Sequence, residues 1–292
     1  MDIKIQSISA KGLSWLQSNY AKRVLHVFNP VSNLIDDQNS VISLVRPEIG
    51  NGPFTAVTGK INFREYIDVK SNIHVKQKQL EVGKLKIDFS DASNWNSVPS
   101  WQSIRQDPKQ LAPGLDAVEH QVGSEGPPQS FAELVLNIPR NFTESDPTFA
   151  RAQTGVNELF RGFKSGESMA MRNGAQLLAG LGVGLTPAGD DFLVGSILAL
   201  WSYFPESEAQ RLSTLIAKEA SPRTNSISAA WINASAKGEA GQHWHHLLEA
   251  LKSENEGMLQ NAVRAILPTG HTSGADSLGG FVATLRLLSE HH

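Results

Sequence analysis

The chain has 292 residues, 40% hydrophobic and 19% charged, the composition of an ordinary globular protein with length enough for two structural units. Its 26 basic and 29 acidic residues leave a formal charge of −3, and Lys and Arg nowhere gather into the patch that a phosphate backbone requires, which argues against nucleic acid as a partner. The absence of cysteine removes disulfides, thiolate zinc sites, iron–sulfur clusters and a cysteine nucleophile, so chemistry must come from oxygen, imidazole or amine groups.

The opening MDIKIQSISAKGLSWLQ lacks the basic segment and unbroken apolar run of a secretory signal. From about residue 24 to 90, the stretches VLHVF, VISLV, PFTAVTG, YIDVK, HVKQ and KLKIDF are rich in β-branched and aromatic residues and tend to alternate, as strands do. Turn chemistry separates them at Asn29-Pro30, Asp36-Asp37 and Gly50-Asn51-Gly52-Pro53, the last reading most simply as a hairpin turn. An antiparallel or mixed sheet is expected, with a small barrel as one form it could take. Between 91 and 145 the pattern weakens into a Ser-, Pro- and Gly-rich connection, with a short helix expected over 105–121 and one more strand from Phe131 to Ile138.

Asp146-Pro147 is a helix cap followed by proline at the first helical position, and helical periodicity takes over from there. Val156, Leu159, Phe160 and Phe163 fall on one face. Further helices are expected over 167–181, 191–204, 207–219, 225–236, 242–266 with a break near Glu256-Gly257, and 275–289. The fold class is therefore α+β, a β-rich half over 1–145 followed by an all-helical half over 146–292. The segment Phe192 to Phe204 is apolar nearly all round, which predicts a central helix. It is shorter than the roughly 20 residues of a membrane span, so no membrane is expected and a cytoplasmic protein is the simple reading.

Two stretches stand apart from this pattern. Gly184-Leu-Thr186-Pro-Ala-Gly189-Asp190-Asp191-Phe-Leu and Gly270-His271-Thr272-Ser273-Gly274-Ala-Asp276-Ser-Leu-Gly both read Gly-x-Thr, then small residues, then Asp, and both lead into a helix. Small residues let backbone N–H groups approach a bound group, a helix start carries partial positive charge, and a threonine hydroxyl adds a donor or acceptor. The same residues would also serve as a turn and an N-cap, with Asp190 or Asp191 as the cap. Gly184 to Gly189 has P-loop glycine spacing, but the two acids stand where Lys and Ser or Thr belong.

Outside the pair, Arg223-Thr-Asn225-Ser-Ile-Ser228 opens a helix after Pro222 and offers a guanidinium and hydroxyls of the kind that bind anions; a capping box reads equally well. His271 lies inside the second motif, where it could donate to an oxyanion or move a proton, or bond to backbone. His243, His245 and His246 lack metal-ligand spacing and read as surface or interface residues.

The run Gly182 to Gly195, followed by Asn225 to Ser228 and then by Gly270 to Asp276, resembles a bacterial family of unknown-function domains that includes a subunit of oxamate carbamoyltransferase, an enzyme of allantoin breakdown. The resemblance implies a chain that works beside partner subunits to convert oxalurate and phosphate into oxamate and carbamoyl phosphate. On that footing Asp190, His271 and Asp276 are the candidate catalytic residues. Gly184, Thr186, Gly189, Asp191, Arg223, Asn225, Ser228, Gly270, Thr272, Ser273 and Gly274 are candidates for holding the carbamoyl group or an anion. Three carboxylates disfavour an anion, so a metal such as Mg²⁺ on Asp190, Asp191 and Asp276, a protonated carboxyl, or a capping role must account for them. The alternative is a non-catalytic subunit, whose β-rich half docks onto partners while the glycines only pack helices; a Mg²⁺-dependent hydrolase is more distant.

Overall fold

The computed structural model describes residues 1–105, 111–143, 145–253 and 255–291. The chain forms two compact units, Met1–Ser97 with Ala240–Gln242, and Val98–Glu239 with His243–His292. As the sequence pattern predicts, strands dominate the first and helices the second.

The first unit holds β1 (Asp2–Lys4), β2 (Ser7–Ser9), α1 (Ala10–Gln17), β3 (Lys22–Val27), β4 (Val31–Asp36), β5 (Val41–Val45), β6 (Thr55–Val57), β7 (Ile73–Lys76), β8 (Gln79–Val82), β9 (Leu85–Asp88) and β10 (Ser93–Trp95). They make two mixed sheets, ordered β1-β9-β8-β7 and β10-β2-β6-β5-β4-β3. Neither sheet closes, so the barrel form is not adopted. Leu34, Ile42 and Leu44 from the larger sheet, Leu80, Leu85 and Ile87 from the smaller, and Leu16 of α1 meet in one fully buried core with Phe63. Alternation in β8 and β9 sends Leu80, Val82, Leu85 and Ile87 inward and Gln79 and Lys86 outward, the period-2 signature of a half-buried sheet.

Two expectations fail in this unit. Gly50 to Pro53 is not a hairpin turn, because β5 and β6 run parallel, with Ser43 opposite Thr55. YIDVK is not a strand: the Asp68 carboxylate accepts from the Lys70 amide at 2.7 Å, and Asn62 accepts from Arg64 at 3.2 Å at the head of a 3₁₀ turn over Phe63–Glu65. Short polar side chains thus offer the backbone a local alternative to the ladder.

The helical unit contains α2 (Trp101–Ile104), α3 (Ala112–Glu125), α4 (Pro147–Ser165), α5 (Ser168–Leu178), α6 (Ala188–Tyr203), α7 (Glu206–Ala220), α8 (Ser226–Ser235), α9 (Gln242–Lys252), α10 (Glu256–Ile266) and α11 (Ser273–His291). Of the helix expected over 105–121, Arg105 instead ends α2, residues 106–110 lie outside the described ones, and the remainder is found in α3, which runs on to Glu125. The strand expected from Phe131 to Ile138 is instead a buried 3₁₀ turn over Phe131–Leu134, folded back by Glu133, whose carboxylate accepts from the amides of Gln129 and Asn141 at 2.6 and 2.5 Å. α4 starts as its sequence dictates: the Asp146 carboxylate accepts from Thr148 at 2.7 Å, and the helix ends at Gly166 with φ 71°. α10 starts on Asn255, which accepts from Met258 at 3.0 Å. The central helix is α6, with Phe192, Leu193, Ile197 and Leu200 all fully buried.

Among the described residues, no helix is long and apolar enough to cross a membrane.

Candidate functional site

Both glycine-rich motifs end in the two helices at the heart of this unit, α6 and α11, which cross in direct backbone contact. A Cβ on Gly195 would lie 1.8 Å from the Ser277 carbonyl oxygen, and one on Gly280 would lie 2.2 Å from that of Phe192. The helix starts are equally tight. A Cβ on Gly189 would meet the Leu178 carbonyl at 2.0 Å where α5 ends, and one on Gly274 would meet the Ile266 carbonyl at 2.2 Å where α10 ends. These contacts pair off with one spacing, since 85 residues separate Gly189 from Gly274, Asp191 from Asp276, Leu193 from Leu278, and Gly195 from Gly280. The crossing is therefore reciprocal, as around a local two-fold axis, and carries a Gly-x-Asp-x-Leu-x-Gly pattern twice.

This register changes which acids correspond. Matching the Gly-x-Thr loops sets Asp190 against Asp276, but the first loop is one residue longer between its threonine and its helix, so in the helices Asp191 is the counterpart of Asp276. The three acids differ accordingly. Asp190 accepts from the Gly180 amide at 2.8 Å and from the Thr224 hydroxyl at 2.5 Å, tying two loops together. Burial raises its pKa, and these two bonds oppose the rise. Asp191 is not a side-chain cap, for α6 starts without one. Its Oδ2 is shut off from solvent with no hydrogen-bond partner. Asp276 is fully buried; its Oδ1 accepts from the Phe131 amide at 2.6 Å, and its Oδ2 is likewise without a partner.

Burial pushes the Asp276 pKa up to about 7, with the Phe131 amide opposing and the Glu133 charge assisting. The Asp191 pKa is also raised well above the ordinary carboxyl value, through burial first and then the charge of Asp276, its strongest charged influence.

The motif loops meet at this pair. The Thr186 and Ser273 hydroxyls are hydrogen-bonded to each other at 2.8 Å across 87 residues of sequence, and both lie close enough to Asp191 to stabilise its charge. Thr272 stands similarly to Asp276. The amides of Gly189 and Gly274 donate to the carbonyls of Leu181 and Thr269, at 2.9 and 3.2 Å, so these two helix-start N–H groups are already engaged. What the loops converge on is a set of hydroxyls and carboxyls rather than an open cradle of backbone amides.

The other sequence candidates surround or leave this cluster. Asn225 caps α8, accepting from Ile227 and Ser228 at 3.0 and 3.2 Å, while its Nδ2 donates to the Leu185 carbonyl at 2.9 Å and so holds the first loop. Ser228 is buried and reaches the same carbonyl at 3.5 Å. Gly184, at φ 99°, sits in the exposed part of that loop with open space where a Cβ would be, beside Val183, which is 94% exposed. Gly270 has φ 63°, and His271 next to it is exposed. Arg223 is turned to Glu219, donating to its carbonyl at 2.5 Å and pairing with its carboxylate at 3.6 Å. Among the described residues, no three His, Cys, Asp or Glu side chains gather as ligands for a metal ion, and both Asp190 oxygens already accept hydrogen bonds.

Sequence reasoning alone did not find Glu133, the Phe131 amide, or the rank of Asp191 above Asp190. The repeated Gly-x-Asp-x-Leu-x-Gly spacing was the available signal for the last.

The organisation of the chain, a β-rich unit followed by helices with paired glycine–aspartate starts, coincides with two family models. Residues 4–94 match the AllH family N-terminal domain, and residues 178–285 match the oxamate carbamoyltransferase subunit AllH. The chain belongs to the AllH family. The AllH match takes in both motifs, both crossing glycines and the whole Asp191–Asp276 cluster, and the family is that of a subunit, which implies further subunits in a complex. No solved structure matches the chain.

Proposed function

We propose that this AllH-family chain supplies the carbamoyl-group site of an oxamate carbamoyltransferase complex, in which oxalurate and phosphate become oxamate and carbamoyl phosphate. One observation carries the reading: the hydroxyls of Thr186 and Ser273, from loops far apart in sequence, meet beside Asp191 and Asp276, whose Oδ2 atoms are closed to solvent and lack partners. A carbamoyl group offers N–H donors to carboxylate oxygen and a carbonyl acceptor to hydroxyls, so it answers both halves of this arrangement. A fully anionic ligand does not, because carboxyls line the cluster and the Gly189 and Gly274 amides are occupied. Phosphate is then held by partner subunits or by the exposed Gly184 side of the first loop.

The test is phosphate-dependent cleavage of oxalurate by the reconstituted complex carrying Thr186→Val or Ser273→Ala. Loss of one transition-state hydrogen bond is expected to lower kcat/KM by about 10²-fold or more, with assembly unchanged. Unchanged activity in an intact complex would instead support the non-catalytic subunit, with the glycines serving only to pack α6 against α11.

A further inference from the structure

We propose that the cleft between α4 and α5 binds the oxyanion head of a small molecule, a phosphate or a carboxylate, through the guanidinium groups of Arg151 and Arg223. This goes beyond the carbamoyl reading and does not rest on it. The cleft has a volume of about 720 Å³, within the ordinary range for small-molecule sites, and both arginines line it. Arg223 is the member of the anion-binding pattern over 223–228 that the carbamoyl site leaves aside.

The walls are helices. Arg151, Thr154 and Glu158 recur on one face of α4, Asn173, Gln176 and Leu177 on one face of α5, and Ala179 and Arg223 complete the lining. Glycines bring the two helices together: a Cβ on Gly174 would lie 2.5 Å from the Leu159 amide nitrogen, and one on Gly155 would lie 2.9 Å from Leu178 Cγ. Rigid elements therefore carry the donors. Arg151 Nε donates to the Leu177 carbonyl at 3.1 Å and Arg223 Nη1 to the Glu219 carbonyl at 2.5 Å. Each guanidinium is thus pinned through one nitrogen and keeps further N–H groups for a ligand.

The carboxylates around the cleft are already answered. Arg161, which does not line the cleft, holds Glu158 at 2.8 Å and also pairs with Glu167. Glu219 takes Arg172 and the Gln176 side-chain amide, the latter at 2.7 Å, and Arg223 stands farther off at 3.6 Å. Among the described residues, Arg151 makes no ion pair. Arg151, Arg161, Arg172 and Arg223 together exceed Glu158, Glu167 and Glu219 by one positive charge, and the excess falls to the two arginines that line the cleft. Planar guanidinium forks match the oxygens of a phosphate or carboxylate, and Leu177 and Ala179 offer apolar surface to the rest of the molecule. Ala179 and Arg223 adjoin Gly180 and Thr224, which Asp190 ties together, so the cleft borders the first motif but contains none of its carboxyls.

Calorimetric titration of the full chain at pH 7 and constant ionic strength, with inorganic phosphate and separately with malonate, tests this. At least one of the two is expected to bind at one site per chain, and the tighter of them identifies the head group. Arg151→Gln and Arg223→Gln should each weaken that binding about tenfold or more. Arg151→Lys keeps the charge but loses the fork and should fall between parent and Arg151→Gln. Lys164→Gln, on α4 but outside the cleft, should match the parent. All three positions are exposed, so the variants should fold, which melting checks.

Binding of neither ion overturns the proposal. So does binding that survives both glutamine variants, which would put the anion elsewhere on the chain. Thr186→Val and Ser273→Ala should leave the titration unchanged; if they abolish it, the anion sits at the motif loops and the cleft is refuted. Failure of the carbamoyl reading looks different, since it shows in the activity of the reconstituted complex while the titration stays as it is.

Discussion

Replacing Gly195 by Ala tests the crossing on which the candidate site depends. The added Cβ would lie 1.8 Å from the Ser277 carbonyl oxygen, 2.7 Å from its carbon and 2.9 Å from the Phe281 nitrogen. All three are backbone atoms, so no side chain can rotate aside. Restoring an ordinary van der Waals distance requires α6 and α11 to part by about 1.5 Å or more. Overpacking of this kind costs about 3 kcal/mol, the top of its usual range, because the whole helix must shift. Against that, alanine in a helix gains about 1 kcal/mol over glycine. The net loss is about 2 kcal/mol, which in a domain of this size lowers Tm by about 4–8 °C.

Thermal and urea unfolding of the full chain by circular dichroism reads this directly. Gly280→Ala should behave alike, since its Cβ would lie 2.2 Å from the Phe192 carbonyl. The double variant should cost less than the sum, because one separation relieves both contacts. Gly257→Ala is the control: its Cβ meets only the Asn255 side chain, at 3.4 Å, so it should be neutral or stabilising by up to about 1 kcal/mol. If Gly195→Ala melts at or above the parent temperature, the close crossing is refuted, and with it the apposition of Asp191 and Asp276.

Further outcomes follow from the acids and their loops. Asp190→Ala strands the Gly180 amide and the Thr224 hydroxyl and should cost about 2–3 kcal/mol, whereas Asp190→Asn can serve both and should cost under about 1 kcal/mol; equal melting of the two would show that Asp190 is no staple. Because the folded pKa of Asp276 is about 7 against an ordinary 3.8, its contribution to stability is present below the ordinary value and is lost as pH rises toward 7. That loss amounts to roughly 4 kcal/mol and should be missing from Asp276→Asn, so parallel curves of unfolding free energy against pH for parent and variant would contradict it. Asn225→Ala should cost about 1 kcal/mol from the lost α8 cap and should increase hydrogen exchange in the loop around Leu185, which Asn225 holds by its carbonyl; unchanged exchange there would count against that tether.

Much of the helical unit was legible because its signals are local. Asp146-Pro147 caps α4, Gly166 ends it, and the apolar stripe of Val156, Leu159 and Phe163 faces inward as the 3.6-residue period requires. The all-round apolarity of Phe192 to Leu200 predicted the buried centre for the same reason. Where reading by pattern failed, a bond to a distant or competing group decided the outcome. Phe131 to Ile138 has strand composition, yet Glu133 draws two amides to itself and Asp276 takes the Phe131 amide from 145 residues away. The Gly50 to Pro53 turn has hairpin chemistry, but pairing over 43–45 and 55–57 is parallel.

In the candidate site, the amino-acid order alone determined that two glycine–threonine loops open two helices and that carboxyls follow both, because spacing is written in the chain. It also determined membership in a family by the length and specificity of those motifs. Only the tertiary structure decided which acids belong together. The repeat read along the chain pairs Asp190 with Asp276, but helices register on contact, and the contact is made by Gly195 and Gly280 one turn further on. That crossing turns Asp190 into a tie between loops and leaves Asp191 facing the charge of Asp276, since burial and mutual charge act through space and carry no mark in the sequence.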